Sequence, residues 1–218
     1  WPLDLFRTVG TGNGPRDPTK RVERQARRLW RTFRWPEGAA TLCFRHADVG
    51  EGCAVRVNAW GPAADYALSM APALLGADDD PAAFVPRHRL VRDSFKRHRG
   101  LRLGRGHGVF DTLMPTILGQ RVTSGEAYDS YRKMVFELSE RAPGPVDGPK
   151  LWLPPSARAV GALPVHALHR FGVEASRAET LMRAAHVARR LEEGRALAVR
   201  VAYDVLQKVR GVGPWTAA

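Results

Sequence analysis

The pattern of apolar and polar positions changes character part-way along this 218-residue chain. Before residue 80 the apolar residues alternate, or run together, over strand lengths at 27–34, 40–46 and 53–60. Between the last two runs, Asp48-Val49-Gly50-Glu51-Gly52 predicts a hairpin turn. Residues 3–8 read as a further short strand, and residues 10–19, rich in Gly, Pro and Asn, as a loop. A helix is predicted over 63–75, ended by Gly76. The first part is thus expected to be a small antiparallel sheet with a helix across one face.

After Asp78-Asp79-Asp80-Pro81, which reads as a loop and helix start, the spacing becomes three and four residues. Helices are predicted over 109–120, 125–142, 164–171, 176–191 and 197–209. Ser176 followed by Glu179 is a capping-box signature, and Gly194 stops that helix. Five prolines between residues 143 and 155 make that stretch a non-helical connector. The predicted fold class is α+β: an N-terminal antiparallel sheet domain with a helix at residues 1–80, followed by an all-α domain at 81–218.

With 44% hydrophobic and 26% charged residues the composition is that of an ordinary folded protein, which argues against disorder. No apolar run approaches the ~20 residues of a membrane span, and the first residues lack the pattern of a secretory signal. The expectation is a cytoplasmic protein, nucleoid-associated if bacterial, monomeric and without membrane contact. Cys43 and Cys53 lie on neighbouring predicted strands where they could face each other, so both a disulfide and two free buried thiols are open readings. Two cysteines cannot hold a four-thiolate cluster.

A formal net charge of +12 implies a polyanionic partner, nucleic acid first, although a coding bias toward arginine would produce a basic protein without one. The charge is concentrated: from Arg87 to Gly106 there are eight Lys or Arg against the single acid Asp93. His88, His98 and His107 lie in or beside this segment without ligand spacing, and solvation or DNA contact suits them better than a metal. His166 and His169 are three apart with no nearby Cys or acid, so no metal centre is expected there.

The most informative stretch is Leu206-Gln207-Lys208-Val209-Arg210-Gly211-Val212-Gly213-Pro214-Trp215-Thr216-Ala217. A helix ends, two glycines two apart make a tight turn, and Pro214 stands at the first position of a new helix, where its missing N–H costs nothing. This is a helix-hairpin-helix. Gly211, Val212, Gly213 and Thr216 are candidate phosphate contacts, since glycine admits close backbone approach and helix N-terminal amides attract anions. A turn that merely closes a corner is the plainer alternative.

With these residues the chain resembles the helix-hairpin-helix DNA glycosylases, and within them the 3-methyladenine DNA glycosylase II group. A second stretch carries the resemblance: Ile117-Leu118-Gly119-Gln120-Arg121-Val122-Thr123-Ser124 is similar to the family's Ile-Leu-Gly-Gln-x-Val-Ser element. The resemblance implies duplex DNA containing damaged bases as the partner, and an enzyme that flips a nucleotide out of the duplex, at a cost of about a few kcal/mol. It makes Gln120 and Arg121 the candidates for the wedge that fills the gap. Arg121 departs from the apolar or amide wedge of the family, and stacking and a plain phosphate contact both remain open for it. Trp215 stands where strand-cutting members carry a Schiff-base lysine, which implies a monofunctional enzyme with Trp215 in the base pocket; core packing is the alternative. No cofactor is implied beyond a monovalent cation on the backbone carbonyls of Gln207, Val209 and Val212.

The same resemblance implies a catalytic aspartate roughly twenty residues past the hairpin, so it is expected beyond Ala218 and the 218-residue chain alone is expected to be inactive. Asp204, Asp111, Glu126 and Asp129 read instead as helix-surface or capping acids. The leading expectation is an enzyme of base excision repair that removes alkylated purines. A non-catalytic DNA-binding module is the second, and a basic RNA- or ribosome-associated protein is a weaker third.

Overall fold

Four strands, β1 (Lys20–Glu23), β2 (Arg28–Trp35), β3 (Gly38–Val49) and β4 (Gly52–Trp60), form one antiparallel sheet in sequence order. The computed structural model describes residues 2–10, 14, 16–49, 52–106 and 108–218, and the side chains of all of these except residues 48, 49, 52 and 53. The strands predicted over 27–34, 40–46 and 53–60 therefore form, with β1 added. Lys20-Arg21-Val22-Glu23 carries one apolar residue and so gives no alternation to read. The middle of the 48–52 turn, His107 and the Cys53 side chain lie outside the described residues.

Two compact units divide the chain: residues 1–12, 20–106 and 142–151 in one, and 13–19, 107–141 and 152–218 in the other. The pattern change at residue 80 falls well after the last strand, which ends at Trp60, and residues 81–106 pack with the sheet unit. The Arg105 amide bonds the Ala73 carbonyl at 2.9 Å, and Gly104 lies so close to Leu74 that a Cβ would sit 2.1 Å from its carbonyl oxygen. Backbone contacts of this kind leave no hydrophobic period in the sequence.

In the sheet unit, helix α1 (Leu5–Thr8) replaces the predicted strand, because Asp4 caps it by accepting from the Arg7 amide at 3.0 Å. Helix α2 (Ala64–Leu74) lies on one sheet face and closes a core with Leu29, Phe33, Leu42 and Phe44. On the other face Trp30, Cys43 and Leu151 pack together. The register sets Cys43 opposite Asn58 and Cys53 opposite Asp48, so the two cysteines do not face each other. Burial pushes the Cys43 thiol up to about 11, which makes it an inert core group. A further helix, α3 (Arg89–Arg97), carries much of the basic segment; His88 is its N-cap, accepting from Leu90 N–H, and His98 ends it.

The second unit is helical: α4 (Val109–Leu118), α5 (Ser124–Leu138), α6 (Ala157–Gly161), α7 (Ala175–His186), α8 (Ala188–Glu193), α9 (Val199–Gln207) and α10 (Pro214–Ala217). Residues Val165–Phe171, read as α-helix, wind more tightly as a 3-10 helix. The single helix predicted over 176–191 is broken at Val187, and its cap is not Ser176: Glu174 precedes the first turn, and the Ser176 carbonyl accepts from Thr180 inside the helix. The capping box instead sits at Thr123 and Glu126, at the head of α5. Phe110, Met114, Ile117, Met134, Leu168, Phe171, Leu181, Val209 and Val212 meet in one core. No helix among the described residues is long and apolar enough to cross a membrane.

Candidate nucleic-acid interface

Helix α9 ends at Gln207 with Lys208 as its C-cap, the backbone turns over through Gly211, and Pro214 opens α10, as the Gly-x-Gly-Pro spacing predicts. The two glycines have different reasons to be glycine. Gly211 has φ +98°, and a Cβ there would lie 2.0 Å from Thr180 Oγ1 on α7, so the fold itself excludes a side chain. Gly213 has φ −92°, and a Cβ there would meet nothing within 4 Å. Its bareness answers to no neighbour among the described residues.

Three residues of α7, three apart and therefore on one face, hold this region. Arg177 is buried and donates to the carbonyl of Leu118 at 2.8 Å, at the end of α4. Thr180 packs against Gly211, and Arg183 donates to the Arg210 carbonyl at 3.2 Å. One helix face thus supports both the turn after α4 and the hairpin. None of the three had a signature in the sequence, because Arg177 and Arg183 reach distant backbone carbonyls and Thr180 packs against a distant glycine.

Gln120 and Arg121 form the turn between α4 and α5, and they diverge. The Gln120 amide donates both its N–H groups inward, to the Gly211 carbonyl at 3.0 Å and to Thr216 Oγ1 at 2.8 Å. A Gln120 side chain pointing outward as a wedge, as its sequence position suggests, would have to give up both bonds. Arg121 is exposed, has no partner among the described residues, and holds φ +56°, a left-handed conformation that costs a non-glycine residue roughly 1 kcal/mol or more. The following capping box fixes the start of α5: Thr123 Oγ1 donates to Glu126 at 2.7 Å and accepts from the Glu126 amide at 3.3 Å. The bond from the Thr123 hydroxyl, then that from its amide, holds the Glu126 carboxyl below its ordinary value.

A cavity of about 280 Å³ opens beside this turn, lined by Pro115, Gly119, Val122, Ser124, Ala127, Tyr128 and Trp215. Trp215 is 71% exposed among the described residues. Tyr128 was not singled out in the sequence; its ring lies against Gly14, where a Cβ would come within 2.5 Å. No carboxylate lines the cavity among the described residues. Asp204 is exposed on α9, Asp129 pairs with Arg132 at 3.6 Å, Glu126 is spent in the cap, and Asp111 sits in the first turn of α4. At the proposed cation carbonyls, Val209 O accepts from Val212 N–H at 2.9 Å, which closes the turn and uses one of its two lone pairs.

The sheet unit and the helical unit with its hairpin together have the fold of helix-hairpin-helix DNA glycosylases. The chain is similar to the 3-methyladenine DNA glycosylase from Archaeoglobus fulgidus, with 19% identity and a TM-score of 0.71 over 98% of this chain and 71% of that one. It is similar as well to the Clostridium acetobutylicum 8-oxoguanine glycosylase/lyase solved with double-stranded DNA containing cytosine opposite 8-oxoguanine, with 13% identity and a TM-score of 0.70 over 99% and 71%. No family model and no curated protein matches the sequence.

Proposed function

We propose that this protein is a monofunctional DNA glycosylase that removes alkylated purines from duplex DNA. The observation that carries the reading is the pairing of an open hairpin glycine, Gly213, with an exposed aromatic two residues later, Trp215, at the rim of a cavity. Gly213 and Trp215 N–H groups have no partner among the described residues and suit a backbone phosphate. Arg121 enters the base stack when the damaged nucleotide leaves it, and Gln120 is the tie that holds its turn to the hairpin. The cavity receives the flipped base against Trp215 and Tyr128. A positively charged alkylpurine gains cation–π attraction there, on the order of 1–2 kcal/mol when desolvated.

Trp215 cannot form a Schiff base, so the proposed reaction is hydrolysis: water adds to the sugar carbon, the base departs, and the strand stays intact. The carboxylate that stabilises the developing positive charge is not among the residues lining the cavity. The carbonyls of Gln207, Val209 and Val212 would hold a monovalent cation, which when bound supplies positive charge toward a DNA phosphate. The reading is tested with Trp215→Ala. Expected is a loss of preference for an alkylpurine duplex over an undamaged one, with the salt dependence of undamaged binding unchanged. Equal losses on both duplexes would remove Trp215 from base recognition.

A further inference from the structure

On the sheet unit, the strand register brings three arginines into a single cross-strand row: Arg28 on β2 faces Arg45 on β3, which faces Arg56 on β4. Residues in such a row share one face, on strands ~4.8 Å apart. At the β1 end the row is neutralised, since Glu23 faces Arg28 and pairs with it at 3.0 Å. Arg45 and Arg56 are exposed, and no acidic side chain among the described residues pairs with either. Like charges directly opposite each other destabilise a sheet, so this pair works against the fold that carries it.

The same two arginines line a cavity of about 480 Å³ with Gln25, Arg27 and His46, a wall rich in donors and bare of carboxylates. Arg27 sits in the β1–β2 turn at φ +50°, where glycine or asparagine is at ease and arginine is not, and its guanidinium contacts His46 Nδ1. Arg27 is thus a third cation at this cavity, beside Arg45 and Arg56, and it sits there in an unfavourable backbone conformation. Guanidinium groups in a cross-strand row can each donate to a phosphate through the arginine fork.

We infer that this end of the sheet, centred on Arg45 and Arg56, is a second nucleic-acid contact that binds the phosphodiester backbone without reading bases. The inference rests on the sheet unit alone and stands or falls separately from the glycosylase reading. Each phosphate contact contributes about 0.9 to the dependence of log affinity on log salt. In the intact protein, Arg45→Gln with Arg56→Gln is therefore expected to lower the salt slope for undamaged duplex by about 1.8, with the preference for an abasic-analogue duplex unchanged. Arg45→Lys with Arg56→Lys keeps the charge and should keep the slope. Thermal unfolding of the Gln variant should match or exceed that of the parent, which separates lost contact from lost fold. An unchanged slope in the Gln variant overturns the proposal. So does saturable binding of inorganic phosphate, lost in the Gln variant, without any change in duplex slope, since the ligand would then be a small phosphorylated molecule.

Discussion

The Gln120 side-chain amide donates to the carbonyl of Gly211, 91 residues later in the chain, at 3.0 Å. Its second N–H reaches Thr216 Oγ1 in the next helix, so one side chain ties the α4–α5 turn to both sides of the hairpin. Replacing it with leucine removes two donors and leaves the Gly211 carbonyl without that partner. Stability is expected to fall by about 1–3 kcal/mol. Chemical denaturation measures it, and a loss below about 0.5 kcal/mol would mean that the tie contributes little.

The two hairpin glycines should separate fold from binding. Gly211→Ala forces a Cβ onto Thr180 at a positive φ and is expected to destabilise the protein by about 2 kcal/mol or more. Gly213→Ala meets open space at an ordinary φ and should leave stability unchanged or raise it by about 0.4–1 kcal/mol, while weakening DNA binding. Denaturation and duplex affinity measured on both variants decide the point. Undiminished affinity in Gly213→Ala would show that no ligand comes close there.

Arg121 holds a strained backbone, and its side chain has no partner among the described residues, so its replacement should have opposite effects on stability and recognition. Arg121→Gly is expected to stabilise the fold by up to about 1 kcal/mol, because glycine enters the left-handed region freely. The same variant should lose affinity for an abasic-analogue duplex more than for intact duplex. Equal losses on the two would reduce Arg121 to a phosphate contact.

The capping box at Thr123 and Glu126 makes a pH prediction. The Glu126 pKa is lowered in the folded protein, so its contribution to stability is complete above the ordinary value of 4.5 and disappears as pH falls through the lowered one. Thr123→Ala should cost about 1 kcal/mol at neutral pH and bring the Glu126 titration back up toward 4.5. Carboxyl titration followed by NMR tests this; an unmoved Glu126 would detach its shift from Thr123.

What the sequence made legible was local. Strands β2 to β4, the long helices and the Gly211-Val212-Gly213-Pro214 turn follow from periodicity and backbone chemistry carried by adjacent residues. The fold class read from them is the one the structure has. Placement of the turn's partners was not legible, because Arg177, Thr180, Arg183 and Gln120 act on backbone groups 27 to 91 residues away or on a missing Cβ. The capping signature at Ser176 misled for a similar reason. Its residue spacing is right, but Glu174 already precedes the helix, and the same spacing at Thr123 and Glu126 is the one that forms. The Arg28–Arg45–Arg56 row likewise exists only once the register is known.

The most direct test of the central claim is to incubate the protein, translated to its natural stop codon, with duplex DNA containing an alkylated purine and to score abasic sites before and after alkali. A monofunctional glycosylase releases the base and leaves a strand that breaks only after alkali. Salt-sensitive binding with no base released would contradict the claim and make the protein a DNA-binding module; a strand cut before alkali would contradict its monofunctional character.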